Sequence, residues 1–106
     1  MDKYLSYKSL LTYKKKNKSK KNSIAIVTGG VGRIGSIFTG QLLSKGSKVI
    51  CLSRNIDNYK NYKKTLPNKL KKNLFWYEVD FNSPDKVIEV LKNIKKKFKK
   101  VDVLVN

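Results

Sequence analysis

Gly29, Gly32 and Gly35 recur at three-residue intervals directly after the apolar run Ile24-Ala25-Ile26-Val27 and ahead of an amphipathic stretch. Few folds accommodate such a junction, because a buried strand must turn sharply into a helix while leaving its main chain bare. Gly29 suits the backbone angles of a tight turn, Gly32 leaves room for an anionic group to approach the main chain, and Gly35 permits close packing of helix on strand. A helix that starts this way offers free N–H groups and the positive end of its dipole, which amounts to about half an elementary charge. The loop Thr28 to Gly35, including Arg33 and Ile34, is therefore where the phosphates of a dinucleotide would dock.

The segments around the loop read as alternating strands and helices. Apolar runs place strands at Ile24 to Thr28, Lys48 to Ser53, Leu74 to Val79 and Val101 to Val105, continuous in the manner of parallel strands covered on both faces. Between them, a helix from about Ile34 to Lys45 presents Ile34, Ile37, Phe38, Gln41 and Leu42 at helical spacing. Gly40 allows its close approach to the sheet, and Gly46 ends it. A lysine- and tyrosine-rich connector from Asp57 forms a short helix that stops before Pro67, and Pro67-Asn68 marks a loop. Ser83 as N-cap, Pro84 at the first position and Asp85 in the first turn open another helix, whose core face is Val87, Leu91, Ile94 and Phe98. Phe75, Trp76 and Tyr77 read as packing in the sheet rather than as a stacking platform for bases. The predicted fold class is α/β: the first half of a doubly wound parallel sheet of strand order 3-2-1-4, with helices on both faces.

Composition limits the alternatives. The chain has 106 residues, a net charge of +18, one cysteine and no histidine. Zinc clusters, histidine-based nucleophile triads and disulfide frameworks are excluded within it. Cys51 lies in an apolar strand and reads as a small buried hydrophobe. The positive charge is almost all lysine, with Arg33 and Arg54 the only arginines. This pattern lacks a reading helix and points to no specific nucleic-acid partner, although non-specific phosphate affinity at low salt accompanies any such charge. Residues 1–22 hold eight lysines and one aspartate, which predicts a solvated, mobile basic arm ahead of a unit spanning 23–106. No apolar run is long enough for a membrane span, so the expected location is the cytoplasm.

Thr28-Gly-x-x-Gly-x-x-Gly35, Val49-Ile50-Cys51-Leu52-Ser53-Arg54, Val79-Asp80-Phe81 and Val101-Asp102-Val103-Leu104-Val105-Asn106 together resemble successive landmarks of the short-chain dehydrogenase/reductase family. The resemblance runs from about Ser23 to the last residue. One position departs: compact members usually carry T-G-x-x-x-G-x-G, with glycine at position 33, where this chain has Arg33. The spacing seen here is similar to that of the larger nucleotide-sugar-modifying members and of some compact ones. The resemblance implies hydride transfer between a nicotinamide dinucleotide and a small alcohol or carbonyl substrate, in a homo-oligomer. A nucleotide-sugar epimerase or dehydratase, and a non-catalytic basic binding protein, are the alternatives.

The resemblance further implies that Asp80 accepts from the adenine amino group, with Phe81 contributing its backbone. Asn106 would line the cofactor cleft as the first letter of an N-N-A-G motif. So short a chain supplies fewer strands than such a domain needs, which reads as truncation after the fourth strand and leaves that strand as an apolar edge prone to self-association. The family's catalytic Tyr-x-x-x-Lys pair belongs after a fifth strand, so no catalytic residue is assigned here. Tyr4…Lys8 and Tyr59…Lys63 have that spacing, but six tyrosines and 23 lysines make about one such match expected by chance.

The end of the second strand decides which dinucleotide fits. An NAD site places a carboxylate there to accept from the ribose 2′-OH. Here no Asp or Glu occurs between Asp2 and Asp57, and the position offers Ser53 and Arg54 instead. With Arg33 in the loop, these residues favour NADP(H) over NAD(H) through charge-assisted bonds to a 2′-phosphate. The plain alternative is that either arginine only solvates a loop.

Overall fold

The structure, a computed structural model, describes residues 23–106; the N-terminal basic arm and the Tyr4…Lys8 pair lie outside the described residues. Four parallel strands form one sheet in the order β3-β2-β1-β4, as the apolar runs predict. They are β1 (Ile24–Thr28), β2 (Lys48–Ser53), β3 (Leu74–Glu78) and β4 (Val103–Val105). Ile26 pairs with Ile50 on one side and Leu104 on the other, and Ile50 pairs with Phe75.

Strand alternation divides the apolar residues between two faces. Ala25, Val27, Val49, Cys51, Leu74 and Val105 point toward helix α1 (Gly35–Ser44), and Tyr59, Tyr62, Leu66 and Leu70 close that side. These last four come from α2 (Ile56–Lys64), the one-turn α3 (Asn68–Lys71) and the link between them. Ile24, Ile26, Ile50, Leu52 and Val79 point the other way, toward Ile94, Val87, Val90 and Phe98 of α4 (Pro84–Phe98). Each fully buried aliphatic side chain in these layers contributes about 1.5–3 kcal/mol of transfer free energy.

Several local expectations need correction. The buried residues of α1 are Phe38, Thr39, Leu42 and Leu43, whereas Ile37 is 58% exposed and Ile34 39%. Thr39 tolerates burial because its hydroxyl donates to the Gly30 carbonyl at 2.9 Å, a tertiary bond that apolar spacing does not register. Gly40 faces Tyr62 of α2 rather than the sheet: a Cβ there would lie 3.3 Å from the Tyr62 hydroxyl oxygen. Pro67 precedes the single turn of α3 instead of a plain loop. Ser83 occupies the N-cap of α4 with extended backbone, yet its side chain makes no cap bond. Leu91 is 43% exposed, and Val90 takes its place on the sheet.

Among the described residues β4 pairs with β1 alone, and Leu104, on the α4 face of that edge, is 61% exposed. The opposite end of β4 is tied down by Asp102. Its carboxylate Oδ2 accepts from the Ile24 N–H at 2.8 Å and faces Lys100 Nζ at 3.3 Å, while its own N–H donates to the Ile24 carbonyl at 2.8 Å. Asp102→Ala leaves the buried Ile24 N–H without its acceptor and is expected to cost about 1–3 kcal/mol, read as a lower denaturation midpoint. An unchanged midpoint would remove this clamp from the account of how β4 is held.

Candidate functional site

All four strands run the same way, so their C-terminal ends form one rim, and the candidate residues stand along it in spatial order. Asp80 follows β3, Ser53 and Arg54 end β2, the glycine loop follows β1, and Asn106 follows β4. In an open parallel sheet this rim, where neighbouring connections leave on opposite faces, is where ligands bind.

The loop itself is shaped by the glycines. Gly29 has φ +64°, a conformation that residues with a side chain rarely adopt, and nothing lies within 4 Å of where its Cβ would be. Its N–H donates to the Leu52 carbonyl at 3.0 Å, and its carbonyl accepts from the Gly32 N–H at 3.1 Å, which closes the turn. Gly35 presses on that turn: a Cβ would overlap the Gly29 carbonyl oxygen and lie 2.8 Å from the Gly29 carbon. The close packing therefore engages the turn at the strand's end rather than the strand.

In the first turn of helix α1 the Ser36 N–H donates to the Gly32 carbonyl at 2.9 Å and the Ile37 N–H to the Ile34 carbonyl at 3.0 Å, but the N–H groups ahead of them are left unspent. Ile34 holds the N-cap position and provides no side-chain cap, and the first turn carries no acidic residue. Among the described residues no backbone carbonyl accepts from the N–H groups of Arg33, Ile34 and Gly35. A helix end in this condition is completed by water or by an anion.

Beside it lies a cleft of about 310 Å³ that brings together Thr28, Gly29, Gly32, Arg33, Ile34, Gly35 and Asn106, closed by Val27, Phe38 and Val105. The Thr28 hydroxyl points at Asn106 Oδ1 (3.0 Å) and at the Val105 carbonyl (3.4 Å). With its side-chain oxygen held by Thr28, Asn106 keeps its amide donors available on the cleft side of β4. A dinucleotide fits this arrangement: a glycine turn open beside Gly29, uncapped helix donors and no carboxylate in the first turn to repel phosphate.

Ser53, Arg54, Asp80 and Phe81 do not line this cleft. Ser53 is partly buried at the end of β2, and Arg54 is exposed. The Ser53 hydroxyl oxygen accepts from Trp76 Nε1–H at 2.8 Å. Asp80 borders a separate hollow with Glu78, Lys86, Glu89 and Val90. One of its carboxylate oxygens accepts from the Asn82 N–H at 2.9 Å, and its carbonyl accepts from the Ser83 N–H at 3.0 Å, so Asp80 shapes the turn into α4 whatever else it binds. Phe81 is 51% exposed. Tyr59 and Lys63 are one helical turn apart on α2, with Lys63 Nζ donating to the Tyr59 hydroxyl at 3.4 Å. They stand outside the cleft and take no part in it.

Gly30 is a close-packed position in the turn that the glycine spacing passes over. A Cβ there would meet Cys51 Sγ at 2.6 Å, and Thr39 Oγ1 and Val27 Cβ at 3.1 Å each. The contact with Cys51 spans 21 positions and has no local signature. Cys51 is fully buried among these groups, and burial pushes its thiol up to about 12, the Thr39 hydroxyl opposing only weakly. The neutral thiol is therefore the folded-state form, and its contribution to stability is complete below the thiol's ordinary value and lost as pH climbs through the raised one. Native protein at pH 8 is expected to leave Cys51 unalkylated by a thiol reagent, with reaction only after denaturation. Rapid native alkylation at Cys51 would contradict its burial.

A family model described as short chain dehydrogenase matches residues 23–106. Farnesol dehydrogenase of Aedes aegypti is 35% identical over 83 residues, covering 78% of this chain and 34% of that protein. A 3-oxoacyl-(acyl-carrier-protein) reductase of Buchnera aphidicola is 34% identical over 82 residues, 77% of this chain and 32% of its own length. Among solved structures, menthone neomenthol reductase of Mentha piperita superposes with a TM-score of 0.71 at 30% identity, over 80% of this chain and 31% of that one. A 3-ketoacyl-(acyl-carrier-protein) reductase of Brucella melitensis complexed with NADH shares the fold, with a TM-score of 0.67 at 19% identity, over 79% of this chain and 33% of that one. The chain thus spans about a third of the length of each of these proteins.

Proposed function

Because the chain belongs to the short chain dehydrogenase family, whose members bind a nicotinamide cofactor, we propose that the full-length protein is an NADP(H)-preferring oxidoreductase and that residues 23–106 form the part gripping the cofactor's adenosine and pyrophosphate. The observation that carries this reading is the uncapped start of α1 facing the glycine turn and Asn106 across one cleft. When bound, the cofactor supplies the hydride donor or acceptor.

The residues of this chain bind and orient. Main-chain N–H groups of Arg33, Ile34 and Gly35 face the pyrophosphate, with the helix dipole behind them. Thr28 holds the Asn106 side chain so that its amide donors line the cleft. Ser53 and Arg54 receive the ribose 2′-phosphate, with Arg33 assisting from the loop. Asp80 and Phe81 bound the adenine end. Proton transfer to or from the substrate falls to residues outside this stretch, since its one Tyr-x-x-x-Lys match, Tyr59…Lys63, stands off the cleft. The substrate class is a small alcohol or carbonyl compound, handled by a cytoplasmic homo-oligomer. Among the described residues no helix is long and apolar enough to cross a membrane.

The test is an absorbance assay of the full-length protein against a panel of alcohols with NADP+ and with NAD+. Turnover of at least one alcohol with NADP+, or of the corresponding carbonyl with NADPH, supports the reading. Folded protein that reduces neither cofactor and oxidises neither reduced form across the panel overturns it.

A further inference from the structure

Trp76 is placed to decide how Ser53 reads the cofactor. Trp76 pairs in register with Cys51, so on the same face of the sheet Ser53 is its diagonal neighbour, one pleat further along β2. The indole spans that diagonal and its Nε1–H donates to Ser53 Oγ at 2.8 Å. The ring is itself held: Tyr59 stacks on it with centroids 5.7 Å apart and planes 19° from parallel, and Lys63 Nζ sits 5.6 Å from the Tyr59 ring centroid.

A serine hydroxyl has one proton to donate and can accept twice. Because the indole occupies an acceptor site, and no described group accepts the Ser53 proton, the hydroxyl's uncommitted proton is its means of engaging a ligand at the rim. We infer that Trp76 is a positioning residue that makes Ser53 a donor and thereby favours a ribose 2′-phosphate over a 2′-hydroxyl. The chemistry supports the sign. A phosphate oxygen only accepts, so it matches a donor; a 2′-hydroxyl is served best by the carboxylate acceptor that this position lacks. The indole dipole, with its positive end at Ser53, polarises the hydroxyl further toward donation. This inference rests on the NADP(H) reading above and adds to it a residue that does not touch the cofactor.

The experiment is a double-mutant cycle on the full-length protein with Trp76→Phe, Ser53→Ala and the double variant. Calorimetry supplies the affinities for NADP+ and NAD+, and Trp76→Phe keeps the stacked ring while removing the donor. Trp76→Phe is expected to lower the NADP+/NAD+ affinity ratio by about threefold to tenfold, with no further loss in the Ser53→Ala background. In the parent protein, the Trp76 indole N–H resonance is expected to move on adding NADP+ and to stay near its starting position with NAD+. That observation needs no variant, so it decides the matter if Trp76→Phe fails to fold. Equal weakening of both cofactors, an unchanged ratio, or an indole signal indifferent to the 2′-phosphate would overturn the role of Trp76. The NADP(H) reading would still stand if the parent prefers NADP+ and Arg54→Asp removes that preference. A parent protein that binds both cofactors equally would overturn both.

Discussion

Gly35→Ala is expected to abolish dinucleotide binding and to destabilise the fold, because the added methyl meets backbone rather than flexible side chains. Its nearest neighbours would be the Gly29 carbonyl oxygen and carbon and Gly30 Cα, the last two at 2.8 and 3.0 Å. None of these can swing aside without opening the turn or pushing the start of α1 away from it. Overpacking of this kind costs about 1–3 kcal/mol. The displaced helix end would also lose its aim at the pyrophosphate, which is expected to reduce affinity by about 100-fold or more. Gly32→Ala separates the two effects. Its Cβ would come no closer than 3.4 Å, to the Gly29 carbonyl oxygen, so stability should change little while the methyl enters the cleft and weakens binding. A Gly35→Ala protein with parental melting and parental cofactor affinity would show that the turn and helix are not coupled in this way.

Arg54→Asp is the second large effect. The substitution removes a cation from the end of β2 and installs the carboxylate acceptor that an NAD site uses. A charge-assisted bond to phosphate contributes about 1.5–3 kcal/mol. Arg54 is exposed, so solvent screening holds its share toward the lower figure. NADP+ affinity should fall about tenfold, NAD+ affinity should rise, and the ratio should change by up to about 100-fold. Because the interaction is screened, the parental preference should also narrow as salt is raised. An unchanged ratio would remove Arg54 from the site and leave Ser53 and Arg33 to account for any preference.

Strand positions were legible because parallel strands buried on both faces must be apolar throughout, a signal independent of neighbours. β1 and β2 begin and end where their apolar runs do, and the strand order follows from the strand-helix alternation. The glycine turn was legible for a similar reason, since the positive φ at Gly29 is a local demand that only certain residues meet. What escaped reading depends on contacts between distant segments. The core face of α1 turns on Thr39, whose burial is compensated by Gly30, nine residues earlier. Gly30 in turn is required by Cys51, and the orientation of Ser53 by Trp76, 23 residues later. Spacing rules carry no information about such pairs. Ser83 holds the N-cap that its residue type favours, but the turn built by Asp80 enters α4 by backbone bonds and leaves the Ser83 side chain without a cap bond.

The same reasoning explains why the candidate site divides into two zones. The cleft at the glycine loop is assembled by residues that follow β1 and β4, neighbours in the sheet. Ser53 ends β2, Arg54 follows it, and Asp80 and Phe81 follow β3, further along the rim and off the cleft, so the proposed function requires a ligand long enough to span both groups. A dinucleotide has that length and that sequence of chemistries: an anionic centre for the bare amides, and a ribose and purine for the side chains beyond.

Titration calorimetry of the folded full-length protein with NADPH, repeated with NADH, tests the central claim most directly. The account predicts one dinucleotide bound per chain, with NADPH at least about tenfold tighter than NADH at low salt. Folded protein that takes up neither coenzyme would contradict it.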